Sequence, residues 1–211
     1  MENNIVSMEI IQESQAIVFV DPQCPFAWIT AGWLLEVSRR SPLRLRIELM
    51  SLACVNENRE LDDWYRDYND QAWRPARVAA ALLASPAANM WQRFYSTFGK
   101  RRHVDGMREN ATNLATTLAE LELPAVLAEA AEDPTWDDDL RARTRAAVEP
   151  SGGEGGTPMV HTGGRAFFGP VLTAIPRGRD AIRMWDAVST LAGTAAFAEI
   201  RGARADGLNT V

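Results

Sequence analysis

Hydrophobic residues follow two different patterns in the first fifty positions. Residues 16–20 form an uninterrupted apolar run, which is typical of a strand buried on both faces of a sheet. Apolar residues then recur every three or four positions, which predicts an amphipathic helix with a single apolar stripe. The stripe consists of Phe26, Ile29, Trp33 and Val37. Residues 43–49 alternate between apolar and charged positions and predict a second strand, so this segment forms a strand–helix–strand unit with a right-handed crossover.

The middle of the chain, residues 60–147, is rich in alanine and leucine and contains no convincing strand. Prolines are expected to divide this segment into several helices, because proline lacks the backbone N–H that a helix interior needs. These prolines are Pro75, Pro86, Pro124 and Pro134. The pattern therefore predicts a large helical segment after the first strand–helix–strand unit.

Two short strands and a helix are predicted in the last third of the chain. Residues 157–161 and 165–168 are the strands, and Gly163-Gly164 between them suits a tight hairpin turn. A last helix begins near Arg179. The order β-α-β, helical insertion, β-β-α contains no internal repeat and indicates a single α/β unit.

Composition narrows the class of protein. The chain has 211 residues, of which 46% are hydrophobic and 24% charged, and this balance is typical of a globular domain. Its net charge of −6 argues against nonspecific nucleic-acid binding, which relies on a basic surface. No run approaches the roughly 18 apolar residues of a membrane span, and residues 1–4 lack the pattern of a secretory signal. We therefore expect a cytoplasmic protein that contacts neither membranes nor nucleic acid.

Nucleotide and metal sites are not indicated. The glycines at 152–156 precede a predicted strand, whereas a nucleotide-binding glycine loop opens a helix. Two histidines and two dispersed cysteines give no spacing typical of a zinc site. In a reducing compartment Cys24 and Cys54 are expected to be free thiols, although their spacing does not by itself exclude a disulfide.

Cys24 is the strongest candidate for chemistry. It lies in the turn between the first strand and the first helix, just before Pro25, which suits the first turn of a helix. The positive end of a helix stabilises negative charge and lowers the pKa of a thiol, so this placement favours a thiolate nucleophile. Proteins with a Cys-X-X-Cys motif carry a second thiol where this chain has Ala27.

Four blocks of sequence, in order, carry a resemblance to known proteins. The blocks are DPQCPFAWIT (21–30), SLACVNENR (51–59), GTPMVH (156–161) and FFGPVL (167–172), with IPRG (175–178) just after. They resemble the DsbA-like thioredoxin-fold proteins and, within these, the mycothiol-dependent reductases of actinobacteria, which include nitroreductases. The resemblance implies one unit over 1–211, with a thioredoxin-like core in 14–59 and 148–195 and a helical insertion in 60–147.

The resemblance also assigns roles at the motif. Cys24 matches the nucleophile, Phe26 replaces an aromatic spacer, and Ala27 cannot serve as the second thiol. Pro158, preceded by Thr157, matches a cis-proline whose loop faces the active-site cysteine. The implied cofactor is mycothiol, whose thiol would resolve an adduct at Cys24. No metal or nucleotide is implied.

The remaining candidates have two interpretations each. By resemblance, the polar loop with Asn56, Asn58 and Arg59 borders the cofactor groove, and the alternative is an ordinary polar turn. His161 is either a base or hydrogen-bond donor near the thiolate, or a capped or solvent-facing histidine in its strand.

Four tryptophans and two further residues complete the set. Trp28, Trp64 and Trp73 are candidates for a hydrophobic substrate pocket, while Trp33 is expected in the core. Cys54 is interpreted as a small buried hydrophobic residue. His103 is expected in a loop at a helix end.

Three functions remain open. The first is a monothiol, mycothiol-dependent oxidoreductase that acts on a small electrophilic substrate. The second is a cofactor-independent cis-trans isomerase, in which Cys24 adds reversibly to a conjugated double bond. The third is a noncatalytic binding protein. The expected partners are a small molecule and, at most, a second copy of the chain as a homodimer.

Overall fold

A computed structural model describes residues 14–153, 155–204 and 207–211. The strands are β1 (Gln15–Val20), β2 (Arg44–Leu49), β3 (Met159–Thr162) and β4 (Arg165–Phe168). The helices are α1 (Pro25–Ser38), α2 (Leu52–Asn56), α3 (Asp63–Ala84), α4 (Trp91–Gly99), α5 (Asn110–Glu120), α6 (Asp137–Val148) and α7 (Gly178–Gly193). Among the helices described, none is both long enough and apolar enough to cross a membrane.

The four strands form one mixed sheet in the order β2-β1-β3-β4. β1 pairs in parallel with β2, from Gln15 opposite Arg44 to Val20 opposite Leu49. β3 is antiparallel to both β1 and β4. Each strand begins and ends within two residues of its predicted position. Strand β1 lies between two neighbours and is central, as its uninterrupted apolar run predicts.

Helix α1 differs from its prediction. The sequence predicts one apolar stripe, but the helix is buried around most of its circumference, including Thr30, Ala31 and Glu36 outside the stripe. The cause is packing from several sides, because α1 contacts β1, β2 and α7. The Trp33 indole is fully buried and donates to the Ala181 carbonyl of α7 at 3.0 Å, which confirms its place in the core.

Residues 60–147 contain helices and no strand, as predicted. Pro75 does not end a helix, however, because α3 continues through it. A proline at this position cannot donate to the carbonyl of Gln71, four residues earlier. The side-chain amide of Asn110 donates to that carbonyl at 2.9 Å instead, so the acceptor stays satisfied and the helix is tolerated.

An ion pair joins the first and last helices of this segment. The Arg77 guanidinium donates to both carboxylate oxygens of Asp137, at 2.7 Å and 3.0 Å. Both side chains are largely buried, and a two-pronged contact of this kind fixes orientation as well as distance. It therefore holds α6 against the long α3.

Two glycines make the hairpin between β3 and β4. Gly163 and Gly164 have φ of 58° and 76°, the left-handed values that a two-residue hairpin turn requires. The Thr157–Pro158 and Gly169–Pro170 peptide bonds, just before and just after the hairpin, are cis.

Candidate active site

Cys24 lies at the junction between β1 and α1, immediately before the first helical residue. Its backbone N–H donates to the Asp21 carbonyl at 3.1 Å, and its carbonyl accepts from Trp28 N at 3.1 Å. The thiol Sγ donates to the Thr157 carbonyl at 3.4 Å. The structure therefore brings together Cys24 and the Thr157–Pro158 peptide, which are more than 130 residues apart in sequence. Both cysteines are free thiols.

Cys24 is buried, and burial makes the expectation of a thiolate wrong. The Cys24 side chain is only 4% exposed. Burial raises the pKa of its thiol to about 12, although the N–H groups of Phe26 and Ala27 act in the opposite direction. Loss of hydration therefore outweighs the helix N-terminus, and the thiol is protonated near neutral pH.

A buried carboxylate organises the turn before Cys24. Asp21 Oδ1 accepts from Gln23 N at 2.7 Å, and Oδ2 accepts from Leu52 N at 2.6 Å. The backbone N–H of Asp21 donates to the Thr157 hydroxyl at 3.2 Å. Burial raises the pKa of this carboxyl to about 6. Asp21 thus ties the cysteine turn to α2 and to the cis-proline loop.

The position of Asp21 in the sequence is itself a signal for a buried carboxylate. An aspartate that directly follows a strand buried on both faces is itself expected to be buried, and buried carboxylates need hydrogen-bond donors nearby. Here the donors are the first N–H groups of the cysteine turn and of α2.

A cavity of about 370 Å³ opens beside the cysteine turn. It is lined by Gln23, Pro25, Tyr68, Arg102, His103, Arg108, Leu208 and Thr210. Gln23 and Pro25 flank Cys24 in sequence, so the cavity borders the start of α1. The Tyr68 hydroxyl donates to the Gln23 carbonyl and fixes this wall of the cavity.

His103 belongs to this site, which corrects its interpretation as a residue of a helix-end loop. It lies in a π-helical turn (Lys100–Val104), and its Nε2 is 3.0 Å from the Pro22 carbonyl. A carbonyl only accepts, so Nε2 carries the hydrogen. Burial lowers the pKa of the imidazole to about 4, and the ring is neutral at pH 7. Sequence spacing could not reveal this contact, because 81 residues separate the partners.

Trp28 supports the cavity from behind. Its ring stacks on His103 with centroids 5.7 Å apart, and its indole N–H donates to the Thr210 carbonyl at 3.0 Å. A Cβ at Gly99 would lie 2.5 Å from the ring, so this position needs glycine. The Thr210 hydroxyl donates to the His103 carbonyl at 2.6 Å, so Trp28, His103 and Thr210 all contact one another.

Three predicted residues lie elsewhere. His161 has its Nε2 2.8 Å from the Ala147 carbonyl of α6 and its ring against Phe19 of β1, so it joins β3 to these two elements, and neither contact involves Cys24. Trp64 is 71% exposed at the start of α3. Trp73 packs against the core beneath the guanidinium of Arg77. Neither tryptophan lines the cavity beside Cys24.

Two polar residues after β2 that were candidates for cofactor binding make hydrogen bonds within the protein instead. Asn56 is buried, and its side-chain amide donates to Asn69 Oδ1 at 3.0 Å and to the Tyr65 hydroxyl at 3.2 Å. Arg59 donates to the Gly155 carbonyl at 3.2 Å and so reaches the loop before Thr157. Asn58 is exposed between them. Of the three, Arg59 is the one that connects to the cis-proline loop.

The residues next to Cys24 complete the geometry. Phe26 is half-buried, with the Arg204 guanidinium 4.7 Å from its ring centre. Ala27 is completely buried. Cys54 packs half-buried against the core, and burial raises the pKa of its thiol to about 11. Across the described residues, no three His, Cys, Asp or Glu side chains are grouped as metal ligands.

One buried hydroxyl near this site lacks a partner. Within the described part of the chain, the Tyr95 hydroxyl has no hydrogen bond, although the residue is almost fully buried beside Trp28 and Trp91. An unsatisfied buried hydroxyl costs about 1–3 kcal/mol.

We expect Tyr95→Phe to raise the free energy of unfolding by about 1 kcal/mol, because it removes the unsatisfied group and keeps the ring. Urea unfolding measures the change. Tyr68→Phe is the matched control, since its hydroxyl donates to the Gln23 carbonyl, and it should lower stability by about 1 kcal/mol. A loss of stability in Tyr95→Phe would contradict the prediction.

Solved structures share this architecture. The fold matches 2-hydroxychromene-2-carboxylate isomerase with a TM-score of 0.57 at 14% identity, over 84% of this chain and 94% of the isomerase. It matches DsbA from Xylella fastidiosa with a TM-score of 0.50 at 15% identity, over 84% of this chain and 85% of DsbA. The cytosolic disulfide reductase DsbM from Pseudomonas aeruginosa matches with a TM-score of 0.50 at 16% identity, over 84% of this chain and 99% of DsbM. These matches confirm the predicted DsbA-like thioredoxin fold.

Sequence comparison identifies the family. The chain is 31% identical over 176 residues to Rv2286c, an uncharacterised protein of Mycobacterium tuberculosis. The aligned region covers 82% of this chain and 75% of Rv2286c. Residues 23–202 match the family described as Rv2466c-like, mycothiol-dependent nitroreductase Rv2466c. The chain therefore belongs to the Rv2466c-like family, and it is built on a thioredoxin fold.

Proposed function

We propose that this protein is a monothiol oxidoreductase in which Cys24 and mycothiol together reduce a small electrophilic substrate. The observation that carries the proposal is the single sulfur at the start of α1. Ala27 occupies the position of a second thiol and is completely buried, so no other cysteine can reach Cys24 from that turn. A cycle at this site then needs a thiol from solution.

The residues around Cys24 fit such a thiol. The Thr157 carbonyl accepts the Cys24 thiol hydrogen at 3.4 Å. Once that proton has left, the same carbonyl is able to accept an amide N–H from the peptide-like arm of mycothiol, in the manner of strand addition. Arg59 supports the loop from the other side through the Gly155 carbonyl. Bound mycothiol would supply the second sulfur and its reducing electron.

The reaction balances with two thiols. The Cys24 thiol would give one electron and one proton to the substrate, and mycothiol would supply the second electron, the second proton and the sulfur to which Cys24 becomes joined in a disulfide. A second thiol, which mycothiol would supply, would release the Cys24 thiolate from this disulfide, and Cys24 would then be reprotonated. The net change converts two thiols to one disulfide and adds two electrons and two protons to the substrate.

The proposal is tested by intact mass spectrometry after incubation with oxidised mycothiol. We expect one mycothiol adduct per chain on Cys24, reversed by excess mycothiol, and none in Cys24→Ser. Cys54→Ser is the control and should form the adduct as the wild type does. Absence of the Cys24 adduct, or an adduct only on Cys54, would contradict the monothiol cycle.

Cis-trans isomerisation is the second candidate, and the same single sulfur favours it. Cys24 would add to a conjugated double bond, allow rotation about the resulting single bond, and leave with no net redox change. Without a neighbouring thiol at position 27, the sulfur is not trapped as an intramolecular disulfide. Turnover of a conjugated substrate without any added thiol would favour this function over reduction.

A further inference from the structure

Two arginines line the cavity beside Cys24, and although the buried Asp21 carboxyl acts electrostatically on Arg102, neither arginine forms an ion pair within the described residues. Among residues 14–153, 155–204 and 207–211, no Asp or Glu oxygen is paired with Arg102 or Arg108. Other arginines in this acidic chain do pair, such as Arg77 with Asp137 and Arg141 with Glu57. The cavity lining includes no acidic side chain. It is therefore a locally positive pocket in a protein of net charge −6.

Arg102 is held in place. Its Nη1 donates to the Arg108 carbonyl and to Asn110 Oδ1, both at 3.0 Å. Its guanidinium carbon lies 6.0 Å from the centre of the Tyr68 ring. A guanidinium has five N–H donors in a fixed fork, and the Arg102 group also acts on the Tyr68 hydroxyl, so part of this fork remains for a ligand.

Arg108 completes the positive side of the pocket. Its side chain is exposed, its backbone carbonyl accepts from Arg102, and both residues line the cavity. The other polar groups of the lining carry no charge that would attract a cation. His103 is committed to the Pro22 carbonyl, and the Tyr68 hydroxyl is committed to Gln23.

We propose that this cavity binds the oxyanion of a small carboxylate-bearing substrate and directs its electrophilic atom toward Cys24. Guanidinium groups recognise carboxylates through paired, charge-assisted hydrogen bonds. A volume of about 370 Å³ lies at the small end of ligand cavities and suits a compact acid. Gln23 and Pro25, which flank Cys24 in sequence, line this cavity together with both arginines. The inference rests on the proposed role of Cys24 as nucleophile and names the substrate class of that site.

The experiment compares two alkylating reagents that differ in charge, iodoacetate and iodoacetamide. In both reactions the Cys24 sulfur forms a bond to carbon, iodide leaves, and the thiol proton passes to solvent. Rates are measured by intact mass in a Cys54→Ser background, so that only Cys24 is counted. We expect Arg108→Met to lower the rate with iodoacetate relative to iodoacetamide by about tenfold. Raised salt should lower the same ratio in the unmodified pocket.

Two further variants make the result specific. Arg102→Met should lower the ratio at least as much, but it also leaves Asn110 without this donor, so Arg108→Met is the primary variant. Arg183→Met, on the exposed surface of α7, is the control and should leave the ratio unchanged. An unchanged ratio in both cavity variants would overturn the proposal, and so would complete protection of Cys24 from both reagents.

This outcome is independent of the cofactor. Alkylation needs neither mycothiol nor turnover, so a protein that fails to form the mycothiol adduct can still show the charge preference. A protein that forms the adduct but shows no preference would retain the monothiol cycle and lose the carboxylate site.

Discussion

Replacement of Cys24 by serine is expected to lower kcat/KM by about a thousandfold or more. A serine hydroxyl does not ionise near neutral pH and cannot form a disulfide, so neither an addition step nor a mixed disulfide is available to it. The start of α1 has no other sulfur, because Ala27 stands where a second cysteine would lie. The measurement is steady-state reduction of an electron-poor nitro compound, with mycothiol as the reductant.

Folding is separated from chemistry by two comparisons. The serine hydroxyl at position 24 is able to donate to the Thr157 carbonyl, as the thiol does, so Cys24→Ser should unfold at the same urea concentration as the wild type. Cys54→Ser removes the other thiol and should keep most of the activity. If Cys24→Ser retained wild-type turnover, reduction and covalent isomerisation through this residue would both be excluded.

Sequence patterns predicted the sheet well because its signals are local. The apolar run of β1, the alternation in β2 and the Gly163-Gly164 turn each depend on neighbouring residues. Helix α1 shows the limit of prediction from local sequence. Its one-sided stripe underestimated its burial, because packing by α7 and the sheet depends on segments far away in sequence. Pro75 shows the same limit, since the Asn110 amide that compensates for it lies on another helix.

The candidate site divides in the same way. Cys24 and the Thr157–Pro158 peptide were identified from motifs, and the structure places them in contact. The cavity walls were not identified, because Tyr68 and His103 reach the cysteine turn only through tertiary packing. The protonation of Cys24 was also mispredicted. A helix start was visible in sequence, but the extent of burial that outweighs it was not.

Asp21 should make stability depend on pH in an unusual direction. Its carboxyl pKa is raised from 3.8 to about 6 by burial, so the folded state binds this proton more tightly than the unfolded state. The stabilisation by the proton is therefore complete below about pH 4 and is lost as pH rises through about 6. At about 1.4 kcal/mol per pKa unit, the full loss is about 3 kcal/mol.

His103 opposes this effect over the same range. Its pKa is lowered to about 4, so the folded state binds this proton less tightly and stability rises with pH between about 4 and 6.5. The two contributions nearly cancel. We therefore expect these two residues to leave the free energy of unfolding of the wild type almost independent of pH over this range. Removing one of them should reveal the other.

In Asp21→Asn, we expect the free energy of unfolding to rise relative to that of the wild type by about 2 kcal/mol between about pH 4.5 and pH 7.5, because only the His103 contribution remains. Urea unfolding at the two pH values measures this change. The comparison uses the difference between pH values, since the amide also alters the bonds to Gln23 N and Leu52 N by a constant amount. Asp70→Asn, at an exposed position of α3, is the control and should follow the wild type. A pH profile of Asp21→Asn parallel to that of the wild type would show that Asp21 is already ionised throughout this range.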